Sequence, residues 1–130
     1  MVVVESEKMT INIGMVDLGK VDVLVEEGFY SNRSDFIRTA IRRQLTTHDD
    51  DTAGSIARTS MTIGAIRLGR KDLQERVASG EKLVLSVVGL LAIDSDVPAE
   101  LARDSIESVK VRGAFRASTE VKATLADRMQ

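Results

Sequence analysis

The sequence predicts a mixed α+β chain in two parts. A strand and two helices come first and need a second copy to complete a core. About three strand-helix repeats follow, with parallel strands stacked as a small β-α solenoid. Three observations carry this expectation. Lys8-Met9-Thr10-Ile11-Asn12-Ile13 alternates polar and apolar residues, the period of a half-buried strand. Two stretches with helical apolar spacing follow it, separated near Gly28. In the second half, a pattern centred on a glycine occurs three times, with the glycines 25 and then 24 residues apart (Gly64, Gly89, Gly113).

The first helix is expected over residues 16–27, where Leu18, Val21, Leu24 and Val25 share one face. Gly28 is placed to end it, and Ser31 or Asn32 to cap the next. That second helix carries Phe36, Ile37, Ala40, Ile41 and Leu45 on one side. Arg38, Arg42 and Arg43 lie largely elsewhere and read as a solvated face. A strand and two helices in about forty residues bury too little surface to stand alone. Two copies that pair their strands solve this, turning Met9, Ile11 and Ile13 toward the helices and Lys8, Thr10 and Asn12 outward. A two-stranded ribbon fits the major groove of DNA, where lysine, threonine and asparagine side chains can reach base edges.

Thr46 to Ser55 is polar, acidic and small, with no periodicity, and reads as a break. The chain is thus expected to divide into residues 1–48, a linker over 49–56, and a repeat domain over 57–130. His48 reads as a solvated residue at the start of that break.

In the repeats, Thr62, Val87 and Val111 align, as do Ile66, Leu91 and Phe115, then Leu68, Ile93 and Ala117. Downstream, Leu73, Val97 and Val121 form one column and Val77, Leu101 and Leu125 another, four residues on, as a helix facing a sheet requires. Pro98 suits the first turn of the second repeat helix and Ser118 the cap of the third. Asp72, Asp96 and Glu120 read as helix-start charges. The glycine column is expected to mark a bend or a close backbone approach. The repeat period resembles that of leucine-rich repeats, but their consensus is missing. With those columns facing inward, the other face shows Met61, Ile63, Val88 and Leu90, too apolar to stay free. These four are expected to form an oligomer interface, with Lys110, Arg112 and Arg116 making its rim polar.

Composition excludes several classes of function. The 130 residues contain no cysteine and a single histidine, so disulfides, thiolate metal sites and histidine dyads within one chain are not expected. No phosphate loop, nucleophile elbow or acid-base pair is found, and neither an enzyme nor a cofactor is expected. Met1-Val2-Val3-Val4-Glu5 lacks the pattern of a signal peptide, no apolar run is long enough to span a bilayer, and a cytoplasmic protein is expected. The net charge is −2: residues 1–48 carry six Lys/Arg against seven Asp/Glu, Asp49 to Asp51 add three acids, and residues 54–130 carry twelve against ten. DNA contact must therefore rest on a few positioned groups and on helix N-termini.

Residues 7 to about 47 resemble ribbon-helix-helix transcription factors of the CopG/Arc/NikR kind. The resemblance rests on Lys-Met-Thr-Ile-Asn-Ile, on the Val25 to Arg38 stretch (Val-Glu-Glu-Gly-Phe-Tyr-Ser-Asn-Arg-Ser-Asp-Phe-Ile-Arg), and on the spacing between them. It implies an intertwined homodimer bound to double-stranded DNA, with Lys8, Thr10 and Asn12 reading bases and Ser31, Asn32 and Arg33 holding a phosphate. Gly14-Met15 stands where the family often has proline, which puts the turn geometry in question. One histidine and no cysteine argue against a nickel sensor. The resulting expectation is a sequence-specific regulator, a repressor, whose repeats mediate further assembly or receive a protein partner. The alternatives are a structural protein assembling through its repeats, or an antitoxin whose C-terminal half captures a toxin.

Overall fold

A computed structural model describes residues 6–130. The Met1 to Glu5 reading lies outside the described residues. The chain divides into two compact units, with the boundary between Ser55 and Ile56.

The first unit contains α1 (Met15–Glu26) and α2 (Arg33–Thr47). Helix α1 ends because Gly28 takes φ +86°, a conformation that costs glycine little. Gly28 N–H then donates to the Val25 carbonyl at 3.1 Å and Phe29 N–H to the Leu24 carbonyl at 3.0 Å. This is the paired closure of a Schellman end. Residues 6–14 form no ladder among the described residues. A single ribbon strand has no partner of its own, so the expected strand lacks the hydrogen bonds that would define it.

Helix α3 (Asp49–Thr59) runs through the stretch expected to be a linker, which is therefore helical and not irregular. Its first turn holds Asp49, Asp50 and Asp51, where carboxylates complement the helix dipole. His48 Nδ1 lies 3.1 Å from Asp51 Oδ2, and Thr52 N–H donates to the His48 carbonyl at 2.9 Å. End effects thus make a helix where the sequence has no apolar period.

The second unit runs β1 (Thr62–Leu68), α4 (Arg70–Ala78), β2 (Leu83–Ile93), α5 (Ala99–Ser105), β3 (Ile106–Arg116) and α6 (Thr119–Leu125), closed by a 3-10 turn at Ala126–Arg128. The strands form one parallel sheet in the order β1-β2-β3. Its register pairs Thr62 with Val87 and Val111, and Ile66 with Leu91 and Phe115. Gly64, Gly89 and Gly113 stand side by side with φ of +136°, +134° and +129°. A Cβ on Gly89 would fall on the Gly64 carbonyl oxygen, and one on Gly113 on that of Gly89. The column is therefore glycine because each strand packs its backbone onto the previous one.

One sheet face and the helices share the core. Val87, Leu91 and Val109 are fully buried with Leu73, Val121 and Leu125. Val77 departs from its column and is 42% exposed, while Leu125 is fully buried. Among the helices, α4 packs mainly against α5, and α5 packs against α6 as well. Pro98 and Ser118 stand at the N-caps of α5 and α6, the Ser118 hydroxyl accepting from Val121 N–H at 3.2 Å. Asp72 Oδ2 accepts from Gly69 N–H at 2.9 Å at the start of α4. Glu120 is in the first turn of α6, but Asp96 lies ahead of α5, whose first-turn acid is Glu100. At the far edge Gln130 N–H donates to the Val109 carbonyl at 2.8 Å, and Met129 bridges Val109. Arg128 donates to the carbonyls of Arg103 and Ile106. The chain end thereby covers part of the β3 edge.

Candidate nucleic-acid interface

Lys8, Thr10 and Asn12 are all exposed on the segment that leads into α1. Their apolar neighbours are exposed too: Met9 at 72%, Ile11 at 54% and Ile13 at 36%. Val21 alone is buried among the described residues of the first unit. Met15, Val16, Val23, Phe29, Ile41 and Leu45 are large apolar residues left open in a single copy. That is a large apolar surface for so small a unit to leave open to water.

The start of α2 brings Ser31, Asn32 and Arg33 together. Asn32 Oδ1 accepts from Asp35 N–H at 2.8 Å, and Asp35 Oδ2 accepts from Ser31 N–H at 3.0 Å. Asn32 thus caps the helix, while Asp35 reaches back past the N-cap to the N–H of the residue before it. Tyr30 meets Phe36 edge to face at 5.0 Å between centroids and packs the entry to the helix. The Arg33 side chain turns back to α1, donating from Nε and Nη2 to the Asp22 carboxylate at 2.7 and 2.8 Å. Sequence spacing alone gave no sign of this cross-helix pair. Its guanidinium is therefore committed to Asp22. The backbone N–H groups of Arg33 and Ser34 have no partner among the described residues, and they are the donors this helix end offers to an anion.

Hydrogen bonding from Arg33 holds the Asp22 carboxyl below the usual carboxylate range and raises the Arg33 guanidinium above its ordinary value. A carboxyl depressed on folding contributes stability above its unfolded pKa and loses it as the pH falls through the lowered folded value. Both side chains are substantially exposed, so the contribution is small. In an NMR titration the Asp22 carboxyl should protonate at lower pH than a peptide carboxylate. Arg33→Ala should bring that midpoint back up; an unmoved midpoint would mean the pair does not persist in solution.

The model of the ribbon-helix-helix transcriptional regulator family matches residues 4–122. The chain belongs to this family. No curated protein and no solved structure matches it. The match corrects the expectation that ribbon-helix-helix likeness stops near residue 47, because it runs through the β-α half to α6. A ribbon-helix-helix regulator acts on DNA as a dimer. No described helix is long and apolar enough to cross a membrane, and the described residues contain no cluster of metal-ligating side chains.

Proposed function

We propose that this regulator is a homodimeric, sequence-specific DNA-binding repressor that lays a ribbon of paired strands in the major groove. The observation that carries the reading is the exposed alternation from Lys8 to Ile13, set ahead of two helices whose apolar surface is open in one copy. Pairing the segment across two copies gives Met9, Ile11 and Ile13 a core and leaves Lys8, Thr10 and Asn12 facing outward. Asparagine then reaches adenine, and lysine guanine, through bidentate or paired contacts. Ser31, Asn32 and Arg33 form the phosphate-binding corner, with the N–H groups of α2 as donors and the Arg33 side chain as the brace that fixes α2 against α1.

Alanine at Asn12 should weaken operator binding by about 1–3 kcal/mol and relax discrimination at one base position. Operators selected from a random DNA pool, then titrated against parent and variant, provide the test. Full discrimination in Asn12→Ala would remove the ribbon from the readout.

The three β-α units read as a short solenoid that carries further assembly between copies. Ile63 is 69% exposed, and Met61 and Val88 are half-buried on the outer sheet face. Leu90 is only 7% exposed within one chain, so such a contact would centre on Ile63 and Val88.

A further inference from the structure

We infer that the β3 side of the outer sheet face is a second, sequence-independent contact for the phosphate backbone of double-stranded DNA. The inference rests on the DNA-binding reading above and adds a surface to it. Charge is sorted between strands and helices in the second unit. The three strands carry Arg67, Lys110, Arg112 and Arg116 against one carboxylate, Glu107, which sits in the register shift at the start of β3. Helices α4, α5 and α6 carry five Lys/Arg and five Asp/Glu, a balanced set.

Strand geometry puts these cations on one face. Val109, Val111 and Phe115 turn into the core with the helices, so the alternate residues Ser108, Lys110, Arg112, Ala114 and Arg116 turn away from it. Alternate side chains on a strand repeat every 6–7 Å or so, which makes Lys110 and Arg112 neighbours in one row. Across the sheet Arg67 and Arg116 flank Ala92 in register, and Ala92 is 6% exposed. The row contains no aromatic or large apolar side chain, which a membrane-surface contact would need alongside its cations. Val88 and Leu90 of β2 stand beside Arg112 and Ala114 in register, but the β3 row itself holds small residues and positive charge, the chemistry of a phosphate contact.

The first unit needs such help. Residues 1–51 carry six Lys/Arg against ten Asp/Glu, and the Arg33 side chain is already bound to Asp22. A ribbon on an acidic unit can read bases but attracts phosphates poorly. Phosphate neutralisation supplies most non-specific affinity and sets its salt dependence. The sheet face would supply that component and the ribbon the discrimination.

The test uses the full-length protein and a 30-base-pair duplex of mixed sequence, titrated across a series of salt concentrations. A Lys110→Ala/Arg112→Ala double variant should lose affinity by the same factor for any sequence. Its slope of log K against log salt should shrink by roughly 1.8, about 0.9 for each lost phosphate contact. Lys110→Arg/Arg112→Lys should restore both, and circular dichroism should show all variants folded. Unchanged affinity and slope in the alanine variant would overturn the inference. So would parent protein that ignores the duplex but binds vesicles of anionic phospholipid through Lys110 and Arg112. Failure of the ribbon reading looks different: alanine at Thr10 and Asn12 would leave discrimination intact, whatever the sheet face does.

Discussion

Gly113→Ala is expected to destabilise the β-α unit by on the order of 3–5 kcal/mol, enough to unfold it under mild conditions. Two costs combine. The backbone at Gly113 has φ +129°, a region that an alanine enters only with strain. The added methyl would also strike the Gly89 carbonyl oxygen, which belongs to the central strand's backbone. No rotamer relieves that contact; β3 would have to move away from β2 and break its ladder. Gly64→Ala separates the two costs. Its φ is +136°, but a Cβ there meets nothing within 4 Å. It should cost only the strain of about 1–3 kcal/mol. Urea unfolding followed by circular dichroism measures both. Equal losses at the two positions would mean that the strands do not approach as closely as the column requires.

The same column shows how much of the fold was legible. A glycine recurring at 24–25 residues predicted both the register and a close approach, because a repeat that stacks must bring like positions together. The caps at Ser118 and Asn32 were readable for a local reason: each side chain serves an N–H three residues on. Helix α3 was not readable from pattern. Its residues have no apolar period, and its start is fixed by Asp49 to Asp51 and His48, features that look like a solvated acidic linker. The closing of the β3 edge by Met129 and Gln130 rests on two residues without any repeat. Val77 followed its column in sequence and left it in space, since periodicity does not say which repeat ends the stack.

Candidate site residues divide in the same way. Lys8, Thr10 and Asn12 are exposed, but so are the apolar residues between them, because in one copy the segment has no strand to pair with. The engagement of Arg33 by Asp22 was not legible, because it joins two helices eleven residues apart in sequence. On the reading proposed above, the guanidinium expected at a phosphate is held by Asp22, and its part in the contact would be to brace α2 against α1. The reach of the family match into the β-α half was also hidden, since that half carries a structural period but no nucleic-acid motif.

Ile11→Lys should abolish the N-terminal dimer and with it operator binding. In one copy Ile11 is 54% exposed, so a single chain can accept a lysine there with its ammonium in water. The cost arises only on pairing. Once two strands lie together over the helices, the two Ile11 side chains enter the shared core, and a lysine there becomes a buried, unpaired charge. That penalty is several kcal/mol, or roughly a hundredfold to a thousandfold in dimer affinity. Mass alone would not resolve it, because contacts through the β-α unit could hold copies together. The cysteine-free chain offers a direct probe. A spin label on a cysteine introduced at Thr10 should report its counterpart across the ribbon in the parent and lose it in Ile11→Lys, while the circular dichroism of the strands and helices of the second unit stays unchanged. A persistent signal between copies would show that Ile11 does not face the dimer core, and the two-copy ribbon would then need a different register.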